Sequence, residues 1–122
     1  MIEVRADAEK KRIYIRVCGA NDVKVASEGA AKMLAAARSM GPGFDVVNDI
    51  TTMKIVSDEV GAIISNAQAE LDKLGPRRVV RVVGGAVMAA MQISRTARDA
   101  QVAYGVQTVA TLADAEALLA RP

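Results

Sequence analysis

The stretch Phe44-Asp45-Val46-Val47-Asn48-Asp49-Ile50-Thr51-Thr52-Met53-Lys54-Ile55-Val56-Ser57-Asp58-Glu59-Val60-Gly61-Ala62-Ile63-Ile64 decides the reading of this chain. Phe44 to Ile50 reads as a buried strand. A short polar crossing loop follows. Ser57 stands where a helix opens: its hydroxyl suits an N-cap, and Asp58 and Glu59 fall in the first turn, where the helix dipole favours negative charge. Val60, Ile63, Ile64, Ala67, Leu71 and Leu74 recur at helical spacing and make the best amphipathic stripe in the sequence, closed by Gly75-Pro76.

Before this unit, Ile2, Val4 and Ala6 alternate with Glu3, Arg5 and Asp7. Ile13, Ile15 and Val17 alternate with Arg12, Tyr14 and Arg16. Period two predicts two strands with one wet face, paired as a hairpin through Ala8 to Lys11. Gly19 ends the second strand. Asn21 or Asp22 can cap a helix whose inward stripe is Val23, Ala26, Ala30, Met33, Ala37 and Met40, stopped by Gly41.

After the central unit the strand-then-helix plan repeats. Arg78 to Val83 is Val-rich, as a central strand should be. Gly84-Gly85 leads into a third helix with the stripe Ala86, Ala90, Ile93, Ala97, Ala100 and Tyr104, ended by Gly105. Val106 to Ala110 is a fifth strand. Thr111 caps a last helix that buries Leu112, Ala115 and Leu119.

The order is β-β-α-β-α-β-α-β-α. Strands joined through helices should be parallel, and if they add in sequence order, right-handed crossovers put every helix on the same side. The expected fold class is α/β: a mostly parallel five-stranded sheet with an antiparallel first strand, helices mainly on one face, the other face partly open. The 122 residues make a single domain.

Composition narrows the function. Sixteen basic against fourteen acidic residues leave +2, without the basic excess of a nucleic-acid binder. Aromatic content is 2%, so no stacking platform for single strands exists either. No histidine is present, which removes the commonest general base, and no enzyme or cofactor site is expected. Cys18 is alone, which excludes an internal disulfide and fits a reducing compartment. No apolar run reaches the ~18 residues of a membrane span, and the charged start is no signal peptide, so a cytoplasmic protein is expected.

The element order, together with Val46-Val47-Asn48 and Ser57 to Ile64, resembles the STAS family of bacterial anti-sigma-factor antagonists, and in particular stand-alone STAS/SEC14-type proteins similar to the sporulation antagonist. In antagonists the strand leads to Asp-Ser-Ser/Thr-Gly-Leu-Gly, whose first Ser or Thr is phosphorylated by the partner kinase. Here the matching residues are Val56-Ser57-Asp58-Glu59-Val60-Gly61. The serine and the later glycine are kept; the preceding Asp has become Val56, and the following Ser-Gly has become Asp58-Glu59. The resemblance implies a non-catalytic protein–protein module whose partner is an anti-sigma factor or kinase-like protein. SEC14-like relatives imply the alternative, a binder of a small apolar or lipid ligand.

Ser57 is therefore the candidate phosphoacceptor, with Thr51, Thr52, Lys54 and Asp58 as partner contacts. A phosphate adds about −1.5 to −2 charges, and a helix N-terminus accepts anions. Asp58 and Glu59 oppose it by about 1 kcal/mol each at ~4 Å in water, against about 0.3–1 kcal/mol from the helix end. The modification is thus less favoured here than in the antagonist motif, and Ser57 also reads as a plain cap. Val87, Met88 and Met91 lie off their helix's stripe and are candidates for an apolar ligand or a homodimer contact, since Met suits adaptable surfaces. Asp45, Asn48 and Asp49 lack the partner groups of a metal or acid–base site. Lys73, Arg77, Arg78 and Arg81 form a basic run that reads as a solvated edge or a contact for an acidic partner.

Overall fold

A computed structural model describes residues 1–121. In chain order the elements are β1 (Ile2–Asp7), β2 (Arg12–Gly19), α1 (Val23–Met40), β3 (Asp45–Met53), α2 (Asp58–Lys73), β4 (Arg78–Val82), α3 (Val87–Ala100), β5 (Val106–Val109) and α4 (Leu112–Leu119). The strands lie side by side in sequence order. β1 is antiparallel to β2, and the remaining pairs are parallel.

Each crossover steps one place across the sheet, so α1, α2 and α3 share one face. There Ile13, Ile15, Val46 and Val79 pack against Met33, Ala37, Ala67 and Leu71. Further along, Ile50 and Val83 meet Ala89 and Ile93. Alternation along β3 and β4 sends Val47, Val80 and Val82 to the opposite face, where they meet Ala115 and Leu119 of α4. The helices thus lie mainly on one face, and α4 corrects the expectation that all of them do. It follows the last strand and joins nothing to it, so the crossover rule does not constrain it.

Polar contacts fix α4 in place. Glu116 takes Arg12 Nη1 at 2.7 Å and the Tyr14 hydroxyl at 2.6 Å. Arg78 donates to the carbonyls of Leu119 at 3.0 Å and Arg121 at 2.9 Å. A cation at the C-terminal end of a helix opposes the negative pole of its dipole. Beside this, the Arg5 guanidinium covers the Tyr14 ring at 4.0 Å.

Several boundaries differ from the sequence reading. β3 runs three residues past Ile50, because Thr52 and Met53 pair with Cys18 and Gly19 beyond a register shift in which Ile50 and Thr51 stand opposite the single residue Val17. Thr51 and Thr52 are consequently strand residues. α3 stops at Ala100, with Gln101 left-handed at φ 56, although helical spacing continues to Tyr104. Asp72 of α2 accepts the backbone N–H groups of Ala103 at 3.0 Å and Tyr104 at 3.3 Å, which holds this segment out of the helix. The buried face of α3 is Ala89, Ile93 and Thr96. Val23 and Leu112, expected inward, are exposed. In α1 the inward face includes Gly29 instead: a Cβ there would sit 2.8 Å from Ile2 Cγ2, so its absence lets β1 lie against the helix.

Candidate functional site

The carboxyl end of β3 delivers the chain to an exposed corner. Lys54 and Ile55 are exposed, Val56 is half-buried, and Ser57, Asp58 and Glu59 are exposed. Ser57 has extended backbone and its Oγ accepts the Val60 N–H at 3.2 Å. It is the N-cap of α2 and its hydroxyl remains reachable from solvent.

The loop is held from the other side by α3. Gln92 Oε1 accepts the Val56 N–H at 2.9 Å, and Gln92 Nε2 donates to the Val56 carbonyl at 2.8 Å. Both backbone groups of one loop residue are thus satisfied by one side chain, which fixes the loop without secondary structure. Met88 precedes Gln92 by one helical turn and shares its flank of the helix. Met91 and Val87 continue around the solvent side. Ile55 is 63% exposed, Met88 67%, Met91 63% and Val87 60%. The sequence candidates of the β3–α2 loop and of the α3 start therefore border one another.

Individual candidates divide. Thr51 is half-buried, and its N–H and hydroxyl both donate to Asp49 Oδ1, at 3.0 and 2.8 Å. Its methyl faces Gly84, where a Cβ would lie 3.2 Å away. Thr52, Lys54 and Asp58 point to solvent. The sequence reading gives no part to Ile55 or Gln92. An isoleucine in a polar crossing loop is a visible signal for the first. The second depends on which helix neighbours the loop, and spacing within α3 does not reveal that.

Asp45 lies elsewhere and has a structural part. It is 1% exposed, and Arg77 grips it through Nε at 3.1 Å and Nη2 at 2.6 Å. Arg78 stands 3.5 Å away. Burial works to raise the Asp45 pKa, but the Arg77 hydrogen bonds and the two positive charges outweigh it and hold the carboxyl below its ordinary value. The basic run therefore does not form one patch: Arg77 and Arg78 serve Asp45 and α4, and Arg81 turns inward. Cys18 is half-buried.

Between the sheet and α1, α2 and α3 lies an apolar cavity of about 110 Å³, with Ile15, Met33, Val60 and Leu71 among its walls. Arg81 and Gln68, both buried, also line it. The side-chain oxygen of Gln68 has no partner among the described residues. Val87, Met88 and Met91 are not part of its walls.

No protein-family model and no curated protein matches the chain. Among solved structures it is similar to the anti-sigma factor antagonist SpoIIAA in its unphosphorylated form, with a TM-score of 0.67 at 13% identity over 100% of both chains. The fold is therefore of the STAS, SpoIIAA-like type. No helix among the described residues is long and apolar enough to cross a membrane.

Proposed function

We propose that this chain is a non-catalytic regulatory module that docks a protein partner of the anti-sigma-factor or kinase-like class through the surface around Ser57. One observation supports the reading: Gln92 of α3 clasps Val56, joining the loop that carries exposed Ile55 and leads into Ser57 to the helix that carries exposed Met88. Large apolar side chains gathered at a surface mark interaction sites. Thr52, Lys54, Asp58 and Glu59 supply the polar rim that such patches carry. Lys54 and Asp58 select the partner's charges, and Thr51 supports the strand end from within.

Ser57 is the proposed switch. A kinase partner would move a phosphoryl group from a nucleoside triphosphate onto Oγ, leaving the diphosphate. The new charge would join Asp58 and Glu59 on the docking rim, where like charges act against binding. The fold similarity supports the class of function without naming the partner.

The test is isothermal titration of the purified chain with each kinase-like anti-sigma factor encoded in the same genome. One partner should bind the wild type. Ile55→Ser with Met88→Ser should weaken it at least tenfold, about 1.4 kcal/mol. Ser57→Asp should also weaken it, and Lys24→Ser, on exposed α1, should not. Equal binding by all variants, or no binding by the wild type, contradicts the proposal.

The alternative, a SEC14-like binder using Val87, Met88 and Met91, lacks an enclosing wall at those exposed residues. The apolar enclosure is the cavity under α1 and α2, which is the observation that favours a ligand of some kind.

A further inference from the structure

Arg81 of β4 is 5% exposed, yet no carboxylate among the described residues lies within salt-bridge distance. Its one hydrogen bond among these residues runs from Nε to Asn48 Oδ1 at 3.3 Å. Asn48 is itself committed to the sheet, donating to the Ile15 carbonyl at 3.4 Å. Asp72 of α2, on the same side of the sheet, is engaged with the backbone of Ala103 and Tyr104, and Asp45 lies on the opposite face with Arg77. A guanidinium does not shed its proton, and the terminal nitrogens of Arg81, without a partner among the described residues, are reached from the open groove. Burial pushes the Arg81 pKa down, against the raising influence of Tyr104, and burial drives the Tyr104 hydroxyl up to about 12. Neither group therefore neutralises the other near pH 7.

Arg81 also occupies a particular place. It lines the apolar cavity between sheet and helices, and it lines an open surface groove of about 410 Å³ formed with Ser94, Arg98, Gln101 and Val102. Tyr104 is the other residue common to both. The pair stands between an apolar interior and an open groove that carries a second cation, Arg98.

We infer that this is a ligand site for a small monocarboxylate with a short apolar tail, the carboxylate on Arg81 and the tail in the cavity. A guanidinium fork matches a carboxylate with two parallel hydrogen bonds. One buried cation balances one negative charge, which favours a carboxylate over a phosphate dianion. The tail length follows from volume. An apolar cavity of about 150 Å³ holds a benzene ring; this one, at about 110 Å³, takes about four or five carbons by the same measure. Ile55, Ser57 and Met88 are not among its walls, although Val56 and Val60 beneath the docking surface are. It rests on the cavity that favours the apolar-ligand alternative and adds to it a head-group contact at Arg81.

The test is isothermal titration of the full chain near neutral pH with acetate, hexanoate and uncharged hexanol. Hexanoate should bind at least tenfold more tightly than either. Arg81→Met should lose at least tenfold for hexanoate while hexanol stays within about threefold. Freed of a buried charge, this variant should melt at or above the wild type, so misfolding would not imitate the loss. Ala67→Leu, which narrows the cavity and keeps Arg81, should weaken hexanoate and leave acetate unchanged. Acetate matching hexanoate would leave an anion site without a tail pocket and overturn the assignment. Hexanol matching hexanoate would leave an apolar pocket without a head site and overturn it equally, while sparing the broader apolar-ligand reading. Absence of hexanoate binding, or its persistence in Arg81→Met, overturns it outright.

Discussion

Ser57 combines two properties that single substitutions can separate. As the N-cap of α2 it accepts the Val60 N–H, and Ser57→Ala should cost about 1 kcal/mol of stability. Aspartate caps as well as serine, so Ser57→Asp should keep the wild-type denaturation midpoint while changing the charge that a partner meets. Urea denaturation of both variants checks this; equal losses would mean the cap is not the source of the effect. Asp45 gives a pH prediction. Its folded-state carboxyl lies below the ordinary value because of Arg77 and Arg78. A depressed carboxyl contributes stability that is present above the unfolded pKa of about 3.9 and is lost as pH falls through the folded value. Arg77→Ala leaves only Arg78, at 3.5 Å, so the folded pKa rises and acid unfolding should begin at a higher pH. Circular dichroism along an acid titration reads the midpoint; an unchanged midpoint would show that Arg77 does not stabilise the carboxylate.

Elements were legible in the sequence where period and caps agreed. β1 and β2 alternate cleanly, and α2 has its cap, its acidic first turn and its Gly stop, so the structure reproduces each. α3 is legible in existence, and its buried face is shifted from the expected stripe: Ile93, Ala86 and Ala90 pack on the core, but Ala89 and Thr96 are buried beside Ile93. Its alanines offer two plausible stripes, and small side chains give periodicity little contrast. Its end was illegible for a different reason: the Asp72 contacts that stop it come from another helix. Gly29 looks like a weak point inside α1 until Ile2 is placed against it. The sequence shows the β3–α2 loop only as a crossing; Gln92, which holds it, is distant in sequence. Gln92→Ala removes two hydrogen bonds to Val56 and should cost about 1–3 kcal/mol. Hydrogen exchange at the Val56 amide should accelerate more than at amides in β4. Uniform acceleration would mean that the clasp serves global stability and does not order the loop in particular.

At the scale of the whole molecule, sheet order and strand direction followed from the alternation of strand and helix, and the position of α4 did not. The valines of β4 gave the only hint, since a strand apolar on both faces needs two covers. Leu119→Ala should cost about 2–5 kcal/mol and expose Val80 and Val82, read as a lower urea midpoint with increased binding of a hydrophobic dye. A midpoint near wild type would mean α4 is a loose cover. The two candidate regions sit differently in this plan: Ser57 and its apolar neighbours face solvent at the carboxyl end of the sheet, whereas Arg81 lies within. Docking at the first is the central claim. Its most direct measurement is hydrogen exchange of the chain with and without the kinase-like partner that binds it. The account predicts protection concentrated at residues 54–60 and 86–92, with β1 and α4 unchanged. Protection centred on β1 or α4, with the Ser57 corner exchanging as in the free chain, would contradict it.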